Sequence, residues 1–351
     1  MKNLLVLLVL LFIVTACSNE PEQSIETTQP IENEVEETPP VEEEEEEVKV
    51  EIDPYIAPFS GERSKEQFTS RPVIVTYNNH PKARPQSGIA SADIVYEMVA
   101  EGNITRILAL FQSELPEKMG PVRSARDYFI NITKGLDAFY VAHGYSPEAL
   151  QMLRNGVVDN INGMQYDGTL FRRSSDRVAP HNSYITDDHV IEGMEKVNAR
   201  TEIEKLPGIS FYESEQELST GEPATLIDVR YGVNEDFHHV YSYDTITQQY
   251  NRSSGGIVTI DKESSEDVLL ANVLFFEVVH QTIDSVGRQQ LDLTSGGTAY
   301  LFQSGVMKKI EWQQLDGILT PMDNGQPVKL VPGKSWIHLV KSIDQMVTFT
   351  P

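Results

Sequence analysis

The stretch Ala92-Asp93-Ile94-Val95-Tyr96-Glu97-Met98-Val99, the turn Glu101-Gly102-Asn103, and the run Ile104-Thr105-Arg106-Ile107-Leu108-Ala109-Leu110-Phe111 together decide the fold class. The first and last segments are rich in β-branched and aromatic residues, and a glycine-containing turn separates them. That pattern predicts a β-hairpin, with Arg106 alternating out of its apolar neighbours. On its N-terminal side, Val73 to Tyr77 reads as another short strand that ends in the turn Asn78-Asn79-His80-Pro81.

On its C-terminal side the elements alternate in type. A helix is expected from near Ser124 to Lys134, stopped by Gly135, and then a strand from Ala138 to Ala142 that ends at His143. Ser146-Pro147-Glu148 combines an N-cap serine, a proline at the first helical position and an acid beside the positive helix end, so a second helix should run to Arg154. Asn160 to Asp167 reads as a polar loop, Ser183 to Ile185 as a strand, and Thr186-Asp187-Asp188 as the start of a helix to about Ala199.

The first globular segment, residues 58–205, is therefore α+β. Residues 206–351 have almost entirely two-residue periodicity. Strands are expected at Ala224–Val229, His239–Tyr243, Gln248–Arg252, Gly256–Ile260, Asn272–Gln281, Thr298–Gln303, Val306–Trp312, Val328–Leu330 and Trp336–Val340. Glycine or Asp turns between several of them predict a mostly antiparallel β domain.

The N-terminus speaks to location. Lys2, the apolar run Leu4 to Val14 and Thr15-Ala16-Cys17 have the form of a signal peptide over residues 1–16, too short to span a bilayer comfortably. A cysteine directly after such a site matches the bacterial lipobox, so Cys17 is expected to be acylated and to anchor the chain on the extracytoplasmic face of the cell membrane. Cys17 is the only cysteine in the chain, which excludes disulfides and thiol catalysis once it is acylated.

Residues 17–57 carry 15 acidic residues against Lys49 alone and have no apolar periodicity, the composition of a disordered, self-repelling tether. The net charge of -25 argues against nucleic acid as a partner.

No metalloprotease HExxH, phosphate-binding GxxxxGK[ST], GxSxG elbow or dinucleotide fingerprint occurs, so neither a cofactor nor a metal is expected. What remains is arginine. Gly120-Pro121-Val122-Arg123-Ser124-Ala125-Arg126-Asp127 sets two arginines at an expected helix start, where unpaired N–H groups favour anions. Phe171-Arg172-Arg173-Ser174-Ser175-Asp176-Arg177 is a second cluster, and Arg106 ends the set. Guanidinium forks suit carboxylate or phosphate. The competing reading pairs these arginines internally with Asp93, Glu97, Glu101, Asp127 and Asp176. His143 and Asp93 are the acid–base candidates.

Arg71-Pro72-Val73, Asn78-Asn79-His80-Pro81-Lys82-Ala83-Arg84-Pro85-Gln86, Ala92 to Glu97, Gly120 to Arg126 and Gly325 to Ile337, together with the lipobox and acidic linker, are similar to the YerB-like lipoprotein family. The resemblance runs from about Phe59 to the C-terminus. It implies two α+β domains meeting near residues 200 to 225, a lipoprotein of unknown function, and no catalytic residue to carry over.

A shorter likeness, through Asp93, Ile104–Phe111 and Arg126-Asp127, is to the LytR-CpsA-Psr glycopolymer ligases, whose arginines hold a polyprenyl pyrophosphate. The sequence thus supports a non-catalytic lipoprotein that binds an anionic cell-wall polymer or an envelope protein. The alternative is a glycopolymer transferase or hydrolase acting on a (pyro)phosphate-linked substrate.

Overall fold

In the computed structural model, which describes residues 53–213, 220–285 and 287–351, the expected hairpin is central. Strand β1 (Val73–Asn78) is buried throughout, and β2 (Ile94–Glu101) and β3 (Ile104–Phe111) are buried except at their shared turn. Burial this continuous means that both faces of the sheet are covered, which explains unbroken apolar runs where a half-exposed strand would alternate. It also corrects the expectation for Arg106, which points away from solvent and is 4% exposed.

The main remaining elements follow in chain order. They are α1 (Asp127–Gly135), β4 (Phe139–Ala142), α2 (Pro147–Arg154), β5 (Asn160–Asn162), β6 (Phe171–Arg173), β7 (Ser183–Thr186) and α3 (Asp187–Lys196). After them come β8 (Leu226–Arg230), β9 (His238–Asp244), β10 (Gln249–Ser254), β11 (Asn272–Glu277), β12 (Gly297–Gln303), β13 (Val306–Leu315), β14 (Ile318–Asp323), β15 (Ser335–Val340) and β16 (Val347–Thr350).

The α+β reading stands in its coarse form, with few helices and many strands. Capping sets the helix starts: Ser146 Oγ accepts from Ala149 N–H at 3.2 Å, and Thr186 Oγ1 accepts from His189 N–H at 3.3 Å. Three expectations are corrected. α1 begins at Asp127 instead of Ser124, Asn160 to Asp167 contains β5 and a short helix, and Val328–Leu330 is not a strand.

One sheet runs through the order β14-β13-β12-β11-β15-β2-β3-β1-β4-β5. The sequence places a boundary at residues 205–206, yet strands from both sides of it are neighbours here. β15 lies parallel to β2, with Trp336 opposite Val95 and His338 opposite Glu97. A second sheet in the order β10-β9-β8-β16 packs its buried Ile227, Val229, Tyr241 and Tyr250 into one core with Val75, Tyr77, Val95, Phe275 and Trp336 of the main sheet. Tyr128 and Phe129 of α1 and Ala149 of α2 share the other core with Ile74, Tyr96, Leu108 and Leu274. No helix among the described residues is long and apolar enough to cross a membrane.

α1 also touches the β13–β14 turn. A Cβ on Gly135 would stand 2.0 Å from Gly317 O, and neither backbone can yield easily. Gly135→Ala is therefore expected to cost about 1–3 kcal/mol and lower the thermal midpoint by several degrees in a circular-dichroism melt. An unchanged midpoint would mean that the helix and the turn are not in contact.

Candidate functional site

The two arginine segments meet at His143. Arg123 is strapped between strands: its N–H donates to Thr76 O at 2.8 Å, and its carbonyl accepts from His143 N–H at 2.9 Å. Gly120, with φ +143°, lets the same segment lie against β7, where a Cβ would be 2.8 Å from Ser183 O. Ser183 in turn holds the imidazole, with its Oγ 2.7 Å from His143 Nδ1. On the ring's other side, Arg173 Nη2 donates to His143 Nε2 at 3.0 Å.

Because Nε2 accepts, Nδ1 carries the proton and His143 is neutral. Burial, and then the Arg173 charge, lower its basicity, which agrees. Both nitrogens are engaged, so this ring has no open position from which to take a proton.

A β-bulge at the end of β2 organises the rest. The register shifts between Val99 and Glu101, turning Glu101 toward Arg106 although simple alternation would put it on the opposite face. Glu101 Oε1 accepts from Arg106 Nη2 at 3.0 Å and also from Arg126 Nη2. Arg106 donates further to Ser124 O at 3.1 Å, and Arg126 to Ala125 O at 2.9 Å. Burial would raise the Glu101 carboxyl, but Arg106, Arg126 and Arg123 outweigh it and hold it ionised. Burial and the neighbouring Arg126 bring the Arg106 guanidinium down to about 9.

The other candidates are also committed within the protein. Arg173 forks onto Asp167, with Nη2 at 2.9 Å from Oδ2. Arg172 donates to Gly168 O. Arg177 points away to Ala83 O, Pro85 O and the Tyr184 hydroxyl, each at 2.8 Å. Asp93 caps the far end of the hairpin, where its Oδ2 accepts from Gln112 N–H at 2.7 Å and Ser113 N–H at 3.0 Å. It is remote from the arginines along β2, so the constellation of the glycopolymer-ligase likeness does not assemble. Cys17 lies outside the described residues.

Of the six candidate arginines, only Arg123 has a guanidinium with no hydrogen bond or ion pair to the described residues, and it is only half-buried. Around it the sequence reading missed two residues, His80 and His181. Their rings stack at 4.7 Å with 28° between planes, and both feel the Arg123 charge. Each follows or precedes a proline in a turn, a context that reads as loop punctuation. The signal that could have found them is the recurrence of a histidine between a proline and an asparagine, in Asn79-His80-Pro81 and Pro180-His181-Asn182. Among the described residues, no group of three or more His, Cys, Asp or Glu side chains is arranged to hold a metal ion.

This architecture, a hairpin-centred sheet extended by a β-rich C-terminal half, defines a family. The models described as the N-terminal and C-terminal domains of the protein of unknown function DUF3048 match residues 59–200 and 227–337, and the chain belongs to that family. It is 42% identical over 290 residues, 82% of this chain and 87% of the relative, to a Bacillus subtilis (strain 168) protein named "Putative lipoprotein YerB". It is also similar to the crystal structure of YerB protein from Bacillus subtilis, at 41% identity and a TM-score of 0.78, covering 84% of this chain and 99% of that one.

Proposed function

We propose that this chain is a membrane-anchored lipoprotein, acylated at Cys17 and held on the extracytoplasmic face, that binds an anionic cell-envelope component at Arg123 without turning it over. The open guanidinium of Arg123, half-buried beside the paired Arg106, Arg126 and Arg173, is the observation that carries this reading. A positive group left unpaired and partly desolvated is costly to the empty protein, and an anionic ligand relieves that cost.

Turnover is less well supported. Of the two acid–base candidates, His143 has both nitrogens occupied and Asp93 sits at the other end of the hairpin.

The test is a titration of the full-length protein in detergent with soluble wall glycopolymer. Arg123→Ala should weaken binding about tenfold or more, as expected for a charge-assisted hydrogen bond, while Arg172→Ala should leave it unchanged. Equal affinity in the Arg123 variant would remove this site.

A further inference from the structure

The geometry points to His80 and His181 as two further binding residues of the Arg123 site, each presenting an Nε2–H donor, and to a phosphoryl group as the anion that the three side chains take. The inference rests on the Arg123 reading and adds the ligand class to it.

The argument is a chain of hydrogen-bond directions. His80 N–H donates to Asn78 Oδ1 at 3.0 Å, which fixes the amide with its nitrogen facing the other way. Asn78 Nδ2 lies 2.9 Å from His181 Nδ1, so that ring nitrogen must accept, and the ring proton is on Nε2. Independently, Lys82 N–H donates to His80 Nδ1 at 3.2 Å, which leaves the His80 proton on Nε2 as well. The backbone thus sets both tautomers, and neither Nε2 has a partner among the described residues.

Burial helps to keep the rings uncharged. Lys82, Arg84 and Arg123 disfavour a second charge on His80, with Asp236 opposing, and His80, Arg123, Lys82 and Arg177 do the same for His181.

Three outward-facing donor groups with no acceptor of their own call for several acceptor oxygens on one ligand. A carboxylate offers two oxygens in one plane, which the guanidinium fork alone can use. A phosphoryl group offers three in different directions, enough to engage Arg123 and both rings.

The experiment uses the full-length protein in detergent micelles. Long-range ¹H–¹⁵N spectra at pH 7.5 should show the Nε2–H tautomer for both rings, and an Nδ1–H form in either would overturn the proposal. Calorimetric titration with inorganic pyrophosphate should show about tenfold weaker binding for His80→Ala and for His181→Ala. Recovery is expected in His181→Gln, whose amide nitrogen reaches the Nε2 position.

If Arg123→Ala loses binding while both alanine variants keep it, this inference fails and the Arg123 reading stands. If Arg123→Ala binds normally, both fail. Acetate binding as tightly as pyrophosphate would overturn the phosphoryl assignment. Binding of phosphatidylglycerol vesicles as well as free pyrophosphate would identify a lipid headgroup as the source, and binding of the free anion alone a soluble phosphate; either result supports the proposal.

Discussion

Glu97→Ala is expected to cost about 3–5 kcal/mol of stability, enough to leave much of the protein unfolded or insoluble at 37 °C. Glu97 is fully buried at the point where β2 meets β15. Its Oε1 accepts from Asn79 Nδ2 and Thr105 Oγ1, both at 2.8 Å, and its Oε2 from Arg252 Nη2 at 2.8 Å and Trp336 Nε1 at 3.0 Å. Burial alone would raise this carboxyl, but His239, Arg252 and His338 together hold it well below the usual range.

The loss comes from what stays behind. Without the carboxylate, the 2%-exposed Arg252 keeps its charge, with the Trp336 ring 4.2 Å away and no counter-ion in contact. Urea unfolding of Glu97→Ala against wild type measures the loss, and the double variant Glu97→Leu/Arg252→Met adds a sharper check. If an uncompensated buried charge is the cause, the double variant should be more stable than Glu97→Leu alone. A single variant within 0.5 kcal/mol of wild type, taken as about the size of an ordinary surface substitution, would sink this account.

This cluster shows where sequence reading reaches its limit. Strands were legible because burial on both faces demands apolar residues at successive positions, and Val73 to Tyr77, Ile94 to Val99 and Ile104 to Phe111 supply them. α2 was legible because Ser146 and Pro147 carry their capping chemistry in adjacent residues. By contrast, the pairing of β16 with β8 and the parallel pairing of β15 with β2 join segments far apart in the chain, which local periodicity does not encode.

From the sequence, Glu97 is one of five acids that could pair with the arginine clusters. Asn79 and Thr105 are nearby in the chain, but its partners Arg252 and Trp336 lie in the C-terminal half, and only the sheet topology brings them to it.

The arginine edge was half-legible for the same reason. The sequence located every cation but could not separate the paired from the open ones. Arg106 and Arg126 share Glu101 because a one-residue bulge reverses its facing, and no propensity at Val99-Ala100-Glu101 announces a bulge. The internal-pairing reading was correct for those two through Glu101, whereas Glu97 serves Arg252 instead. The proposed ligand site rests on the single guanidinium of Arg123 and two histidines that the sequence presents as turn residues.

Stability should fall as the pH drops from about 6.5 toward 4, and the buried histidines are the reason. A hydrogen-bond relay makes His338 neutral: Arg252 Nε donates to the Tyr241 oxygen at 3.1 Å, so the Tyr241 proton goes to His338 Nε2 at 2.6 Å. His338 Nδ1–H then donates to the Tyr231 oxygen at 2.7 Å, and the Tyr231 proton points at Glu97 O, 3.4 Å away. A second proton on His338 would meet the hydroxyl hydrogen of Tyr241 and reverse the relay.

Burial is the main reason that His338 is held well below its ordinary range and His239 is brought down to about 4, with Arg252 adding to both. His239 Nε2 stands 2.8 Å from Glu97 Oε1, and the carboxylate raises its basicity, but burial outweighs that gain.

In the unfolded chain both rings protonate near pH 6.5, whereas in the folded protein His239 resists until about pH 4 and burial holds His338 well below its ordinary range. Below 6.5 the unfolded state therefore binds more protons, and stability decreases as pH decreases. Glu97 adds to the loss only below about 4.5, where the unfolded carboxyl protonates and the folded one does not. His239 alone accounts for a loss of about 2 kcal/mol between pH 6.5 and 4.5, and His338 adds to it in the same direction.

Urea midpoints measured from pH 7.5 to 4.5 should slide downward across that window, and His338→Gln, although less stable at neutral pH, should show a shallower slope by about one proton. A midpoint that stays level from pH 7 to 5 would mean that the rings are already charged in the core, and the relay through Tyr241 and Tyr231 would have to run the other way.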